Sequence, residues 1–348
     1  MKAGKLPADL LARLLARLPA DPRLLLGPGV GRDAAAIDLG GGRVLVAKAD
    51  PVTFATDQIG RYVVHVNAND IACLGARPAW FLATVLLPVG APPELAEAIF
   101  EQIVSTCQAL GVVPAGGHTE ITLGLERPVI AGAMLGEVAR DELVRPDGAR
   151  NGDHVVLTKG IAIEGTALLA RDAPGELRAR GVRDDAIAAA ARLLDDPGIS
   201  VVREAMAACR AARVHALHDP TEGGLATALL ELAQAASLQV RVRLSDVPVL
   251  AATAALCDAV GLEPLGLLAS GALLIAVAAE DCDALRRAIH NEGIAAACVG
   301  DLASGEATVI IDESREPLPR FQRDELARFF DGLGEDARPN GGDASPHA

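Results

Sequence analysis

Apolar residues recur along this chain in two alternating rhythms. Leu10, Leu11, Leu14, Leu15 and Leu18 fall at helical spacing behind Pro7, a residue suited to a first turn. The run from Leu26 to Asp33 then breaks regular structure with glycines and a proline. Residues 43–48 read as a strand, 59–74 as a helix closed by Gly75, and 80–87 as a buried strand. Residues 92–110 give a second long helix capped by Gly111, followed by strands over 112–119 and 129–138. A polar cluster of Arg, Pro, Gly, Asn and Asp over 141–153 marks a domain boundary. Beyond it the pattern predicts strands at 154–158, 240–244, 273–277, 296–299 and 307–311. Helices are predicted at 163–171, 184–195, 199–212, 225–235 and 281–292. Strands and helices mix without the strict alternation of a doubly wound sheet, so the fold class expected is α+β in two similar halves. The division is an N-terminal helix (1–25), a first domain (26–145), a second (150–315), and a helix with a polar, disordered tail (316–348).

Composition narrows the picture. Of 348 residues, 51% are hydrophobic but only 2% aromatic, so aliphatic side chains must fill the cores. The net charge of −14 argues against nucleic acid or an anionic membrane as partner, since either demands clustered Lys and Arg. It leaves room for one phosphorylated ligand held by a metal and backbone donors. No apolar stretch is long enough to span a bilayer, and Arg13 and Arg17 interrupt the N-terminal leucines as no signal peptide would. The six cysteines are far apart with no C-x-x-C pair, which predicts reduced thiols, a cytoplasmic protein and no zinc site.

The groups fit for chemistry share a theme of phosphate and hard metal. The loop from Gly27 to Asp33, with Gly29 and Gly31, can cradle an anion, although a plain connector accounts for it equally well. Asp33, Asp50 and Asp70 are either three unrelated capping and surface aspartates or a converging set that a cation such as Mg²⁺ would hold together. Asp70 is the telling member. It stands mid-helix in apolar surroundings, one turn after Asn67 and on its face, where aspartate is unfavourable without a partner. Gly116-Gly-His-Thr-Glu120 ends a strand and is a tight turn or a ligand loop. In His218-Asp-Pro-Thr-Glu-Gly-Gly224, Thr221 can cap the next helix and the amides of Gly223 and Gly224 can face a phosphate. Lys159, at another strand end, offers a cation to the same kind of anion. His65, His154, His215 and His290 show no ligand spacing and read as structural, and Cys73 and Cys107 read as core.

Seven segments, in order, carry a family resemblance: Gly31-Arg-Asp-Ala-Ala-Ala36, Lys48-Ala-Asp-Pro51, residues 66–78, Gly116-Gly-His-Thr119, Leu157-Thr-Lys-Gly160, residues 164–170 and residues 219–226. Together they resemble the aminoimidazole ribonucleotide synthetase, or PurM-like, superfamily over about residues 20–315, nearest in pattern to its HypE-like hydrogenase maturation branch. The resemblance implies an N-terminal half whose sheet forms a β-barrel with a second subunit, making a homodimer, and a C-terminal α+β half beside it. It implies ATP in the cleft between halves and Mg²⁺ held by Asp33, Asp50 and Asp70. Gly29 and Gly31 would close over the phosphates, and Asn67 and Asn69 would line the site. Gly117, His118 and Thr119 would contribute from their turn, and Asp219, Thr221 and Gly223 from the second half, with Asp219 and Lys159 in catalytic roles. The chemistry implied is activation of an oxygen on a small-molecule substrate by phosphorylation from ATP. The chain departs from the branch in three places. Many relatives carry an acidic residue where His118 stands. Lys48-Ala-Asp50 replaces Thr-Thr-Asp. The last cysteine is Cys298, although the branch carries its substrate on a C-terminal cysteine, so that reaction is not expected on this chain's own tail. Two alternatives stay open: a kinase resembling thiamine-monophosphate kinase, and a non-catalytic nucleotide-binding partner of a hydrogenase maturation protein.

Overall fold

The computed structural model describes residues 6–29, 32–53 and 57–333; the expected tail from 334 onward, and Gly31, lie outside these. The first half runs α1 (Ala8–Leu15), β1 (Leu24–Leu26), β2 (Ala35–Gly40), β3 (Arg43–Val52), α2 (Ile59–Cys73), β4 (Arg77–Pro88), α3 (Pro93–Leu110), β5 (Val113–Thr122) and β6 (Val129–Ala139). Its six strands lie in the order β1-β2-β3-β6-β4-β5, antiparallel throughout except for the parallel pair β4–β5. Burial alternates along β6, as it must for a sheet with one face on a core and one outside. The sheet is open within the chain; no barrel closes among the described residues. Its last strand, β5, is exposed over Val113–Ile121, leaving Val113 and Ile121 uncovered on an unpaired edge.

The second half runs β7 (His154–Thr158), α4 (Ile163–Asp172), α5 (Pro174–Ala179), α6 (Asp184–Ala191), α7 (Val202–Ala211), β8 (Val214–His218), α8 (Gly224–Ala236), β9 (Gln239–Val242), α9 (Ala251–Val260), β10 (Leu274–Val277), α10 (Cys282–Asn291), β11 (Ala296–Ala303), β12 (Val309–Ile311) and α11 (Glu325–Gly332). Its sheet has the order β12-β9-β11-β7-β10-β8, with only β12–β9 parallel. The four residues of β10, Leu-Ile-Ala-Val, are all buried, because helices cover both faces of this sheet. The patterning missed β1, β2, α5 and α9, which are short or lack a strong period.

The two halves share a core. α2 is buried along nearly its whole length, packed between its own sheet and α7 of the second half. Gly132 on β6 lets it seat, since a Cβ there would meet the side chains of Asn67 and Phe81. Asn69 crosses the junction: its Nδ2 donates to the carbonyl of Ile199 (2.9 Å) and its Oδ1 accepts from the amide of Val201 (2.9 Å). Ion pairs of Arg61 with Asp195 and of Asp57 with Arg171 flank this contact.

Glu164, in the first turn of α4, is buried, and loss of solvent pushes its carboxyl up to about 7 despite a hydrogen bond with Ser270. The folded chain therefore keeps this proton over a range where the unfolded chain, with a value near 4.5, has released it. The stability tied to Glu164 is full below pH 4.5 and declines as pH rises through about 7. Glu164→Gln should remove a decline on the order of 3 kcal/mol, read by urea denaturation of both proteins at pH 5 and pH 8. Equal pH dependence of the two proteins would contradict this.

Candidate functional site: an acidic corner between the halves

Strand β3 carries Lys48 and Asp50 two residues apart and so on one face. Helix α2 brings Asp70 to that face, buried among apolar neighbours, and the Lys48 ammonium lies 2.8 Å from Asp70 Oδ2 and 3.5 Å from Asp50 Oδ2. Burial opposes the charge on Lys48, yet Asp70 and Asp50 together hold it above its ordinary range. Asn67 fixes the strand from behind: its Oδ1 accepts from the amide of Asp50 (3.0 Å), while its Nδ2 donates to the carbonyls of Asp50 (3.2 Å) and Val63 (2.8 Å).

A second cluster adjoins the first from the other half. Asp33, His218 and Asp219 each place a ligand atom within 4.8 Å of the others. His218 bridges Asp33 (3.5 Å) and Glu231 (2.9 Å), and those two acids raise its pKa even though burial works against it. Asp219 is buried at the end of β8 and pushed up to about 7, first by desolvation and then by Asp33. The Cys73 thiol donates to it over 3.5 Å. Asp70 is raised for like reasons, with burial first and the repulsion of Asp219 next. Four carboxylates thus crowd one corner with a single lysine and a histidine among them, a donor set that is hard, oxygen-rich and short of positive charge. Asp33, His218 and Asp219 stand close enough together to share a divalent cation, whereas Asp50 and Asp70 meet on the Lys48 ammonium.

The remaining expected site residues are placed differently. Asn67 and Asn69 spend their amides on backbone groups, so they set the site's frame. Lys159 pairs with Glu204 (2.8 Å) and donates to the carbonyl of Ser200 (2.5 Å), away from the carboxylates. The amide of Gly223 donates to Asp324 Oδ2 (2.7 Å), and the Thr221 carbonyl accepts from Gly224 and Ala269, so the capping loop already uses donors expected to face a phosphate. Near Gly29 the loop folds onto Arg32, whose guanidinium donates to the carbonyl of Gly27 (3.2 Å). Gly117, His118 and Thr119 sit on β5, and His118 pairs with Glu120 (3.0 Å). Gly117 shares a row with Ala83, Gly132 and Asp50, three strand spacings across, or ~14 Å from Asp50. Sequence reasoning missed Lys48 and His218 as members of the corner; the signal for Lys48 was its same-face spacing from Asp50. A cleft of about 1170 Å³ lies elsewhere, its lining including Arg43, Arg77, Arg145, Arg150, Arg210 and Arg213.

Two α+β halves, each built on a mixed six-stranded sheet, make up a two-domain PurM-like fold. Residues 31–138 match the N-terminal domain of AIR synthase related proteins, and residues 150–313 match the C-terminal domain. The chain belongs to the AIR synthase related family. It is 30% identical to carbamoyl dehydratase HypE of Rhizobium leguminosarum bv. viciae over 287 residues, covering 79% of this chain and 78% of the relative. It is 31% identical over 343 residues to selenide, water dikinase of Paraburkholderia xenovorans (strain LB400), covering 88% of this chain and 92% of that one. The crystal structure of hydrogenase maturation protein HypE in complex with ATP is similar at a TM-score of 0.69 and 25% identity, over 90% of this chain and 95% of that one.

Removing the lysine tests the electrostatics directly. Lys48→Met leaves Asp70 buried without its cation and should cost about 3–5 kcal/mol in chelator-treated protein. Lys48→Met/Asp70→Leu should recover most of that loss in chemical denaturation. An unchanged midpoint for the single variant would show that Asp70 does not depend on Lys48.

Proposed function

We propose that this chain is an ATP- and Mg²⁺-dependent enzyme that activates an oxygen of a small substrate by phosphorylation. The observation that carries the reading is the convergence of Asp33, Asp50, Asp70 and Asp219 where the halves meet. It is supported by membership of a family whose relatives include a dehydratase, a dikinase and an ATP complex. Asp33, Asp50 and Asp70 would hold the metal, and when bound Mg²⁺ and ATP supply a charge-neutralised phosphoryl donor. Lys48 adds a tethered positive charge beside Asp70 and Asp50, where negative charge gathers as phosphoryl transfer proceeds. Asp219, pushed up to about 7 by burial and by Asp33, is placed to give or take a proton at its carboxyl oxygen. Lys159, tied to Glu204, holds the 198–200 segment against Asn69. Transfer of the γ-phosphoryl group to the substrate oxygen would form an O–P bond and release ADP; a nucleophile or an elimination would then break the substrate's existing C–O bond, the oxygen leaving as part of phosphate.

Calorimetric titration of ATP, with and without Mg²⁺, tests the site. Binding should require Mg²⁺ and weaken at least tenfold, about 1.4 kcal/mol, in both Asp50→Asn and Asp70→Asn. No binding by the wild-type chain would reject the reading. With candidate acceptors, ADP plus free phosphate would mark activation chemistry, and ADP plus a stable phosphorylated product would mark a kinase.

The same reading includes a homodimer formed along β5, which would cover its apolar edge and let a second copy bring the segment 117–119 to the carboxylates. Ile121→Lys should convert a dimer to a folded monomer in sedimentation velocity. A dimer that survives this change would move the interface elsewhere.

A further inference from the structure

At the end of the second sheet opposite the acidic corner, three soft ligands meet that lie far apart in sequence. His154 opens β7, Cys298 lies on the adjacent strand β11, and Cys282 is the first residue of α10, which packs on that sheet. Cys298 faces Val156, two residues along from His154, so alternation along β7 puts the imidazole and the thiol on one face as diagonal neighbours. A register shift between Cys298 and Gly300 bends the strand just there. The imidazole nitrogen and both sulfurs lie within 4.8 Å of one another.

We propose that His154, Cys282 and Cys298 form a binding site for a thiophilic divalent cation of the Zn²⁺ class. A tetrahedral ion with Zn–S near ~2.3 Å and Zn–N near ~2.0 Å needs ligand atoms about 3.5–3.8 Å apart. Small side-chain adjustments reach that spacing from the separations present. All three ligands stand on regular elements anchored in buried cores, which limits their drift. The Arg243 guanidinium lies 3.5 Å from Cys298 Sγ and also donates to the Cys298 carbonyl (3.1 Å), so a sulfur carrying negative charge has an outer partner already in place. On binding, each thiol gives its proton to solvent and each sulfur forms a bond to the metal. Cys282 is buried while His154 and Cys298 are half-buried, which leaves the fourth position toward solvent. The site would clamp α10 onto β7 and β11. It is independent of the acidic corner, ~13 Å away along β7, as four residues of strand require.

Cobalt(II) titration of the reduced full-length chain reads this site without reference to activity. A single equivalent should give a thiolate-to-cobalt charge-transfer band and strong visible bands, both bleached by Zn²⁺. The acidic corner also holds the Cys73 thiol beside Asp219, so a band that survives Cys73→Ser separates the two places. Cys282→Ser and Cys298→Ser should abolish the band, and His154→Gln should weaken binding by roughly tenfold or more. Absence of the band in wild-type protein with both thiols shown free by alkylation would overturn the proposal. So would a band that persists in both serine variants while their circular dichroism shows a native fold.

Discussion

Crowding of like charge in a partly buried corner is the constraint that organises this protein. Asp33, Asp50, Asp70 and Asp219 come from a loop, a strand, a helix and a second half, and no two adjacent segments could have assembled them. Left alone they would repel or take up protons, and burial does raise Asp70 and Asp219. The chain relieves part of the strain itself with Lys48 against Asp70 and His218 against Asp33. What remains is a negative excess, kept in place by neutral groups whose hydrogen bonds are all directed at backbone. Asn67 locks Asp50, and Asn69 locks the segment from the other half.

The fold shows how two sheets of equal size meet different demands. The first has one solvated face and reads as an alternation along β6; the second is covered on both faces and reads as the unbroken apolar run of β10. The long helices α2 and α3 were legible in the sequence, because helical period and breaker residues are local signals. β1, β2, α5 and α9 were not legible. Their formation depends on neighbours to pair with or pack on, and periodicity over a few residues does not encode neighbours.

The site divides along the same line. Asp70 stood out because a mid-helix aspartate in apolar surroundings demands a partner, and the resemblance gathered Asp33, Asp50 and Asp219 around it. Spacing alone left the three metal candidates open to a bland reading. The identity of the partner was harder to read: Lys48 was noted as a departure from pattern without its consequence. Groups assigned to ligand contact from their motif, such as Asn69, Lys159 and the amide of Gly223, are engaged with protein groups, which only three-dimensional accounting of donors and acceptors reveals. Cys282 and Cys298 are far apart in sequence, and it takes the antiparallel ladder that sets β7 against β11, with a helix starting beside it, to bring them together.

The shared core has a consequence for the protein as a physical object. The segment 141–153 between β6 and β7 joins the two sheets like a hinge, yet apolar residues from α2, α7 and α10 belong to one continuous cluster. Cutting the chain at that segment would therefore yield two fragments that recognise each other, each exposing half of a core when alone. The halves are distinct in their sheets and joined in their core. Domain shuffling in such an architecture must carry a matching α2 surface along with whatever it exchanges.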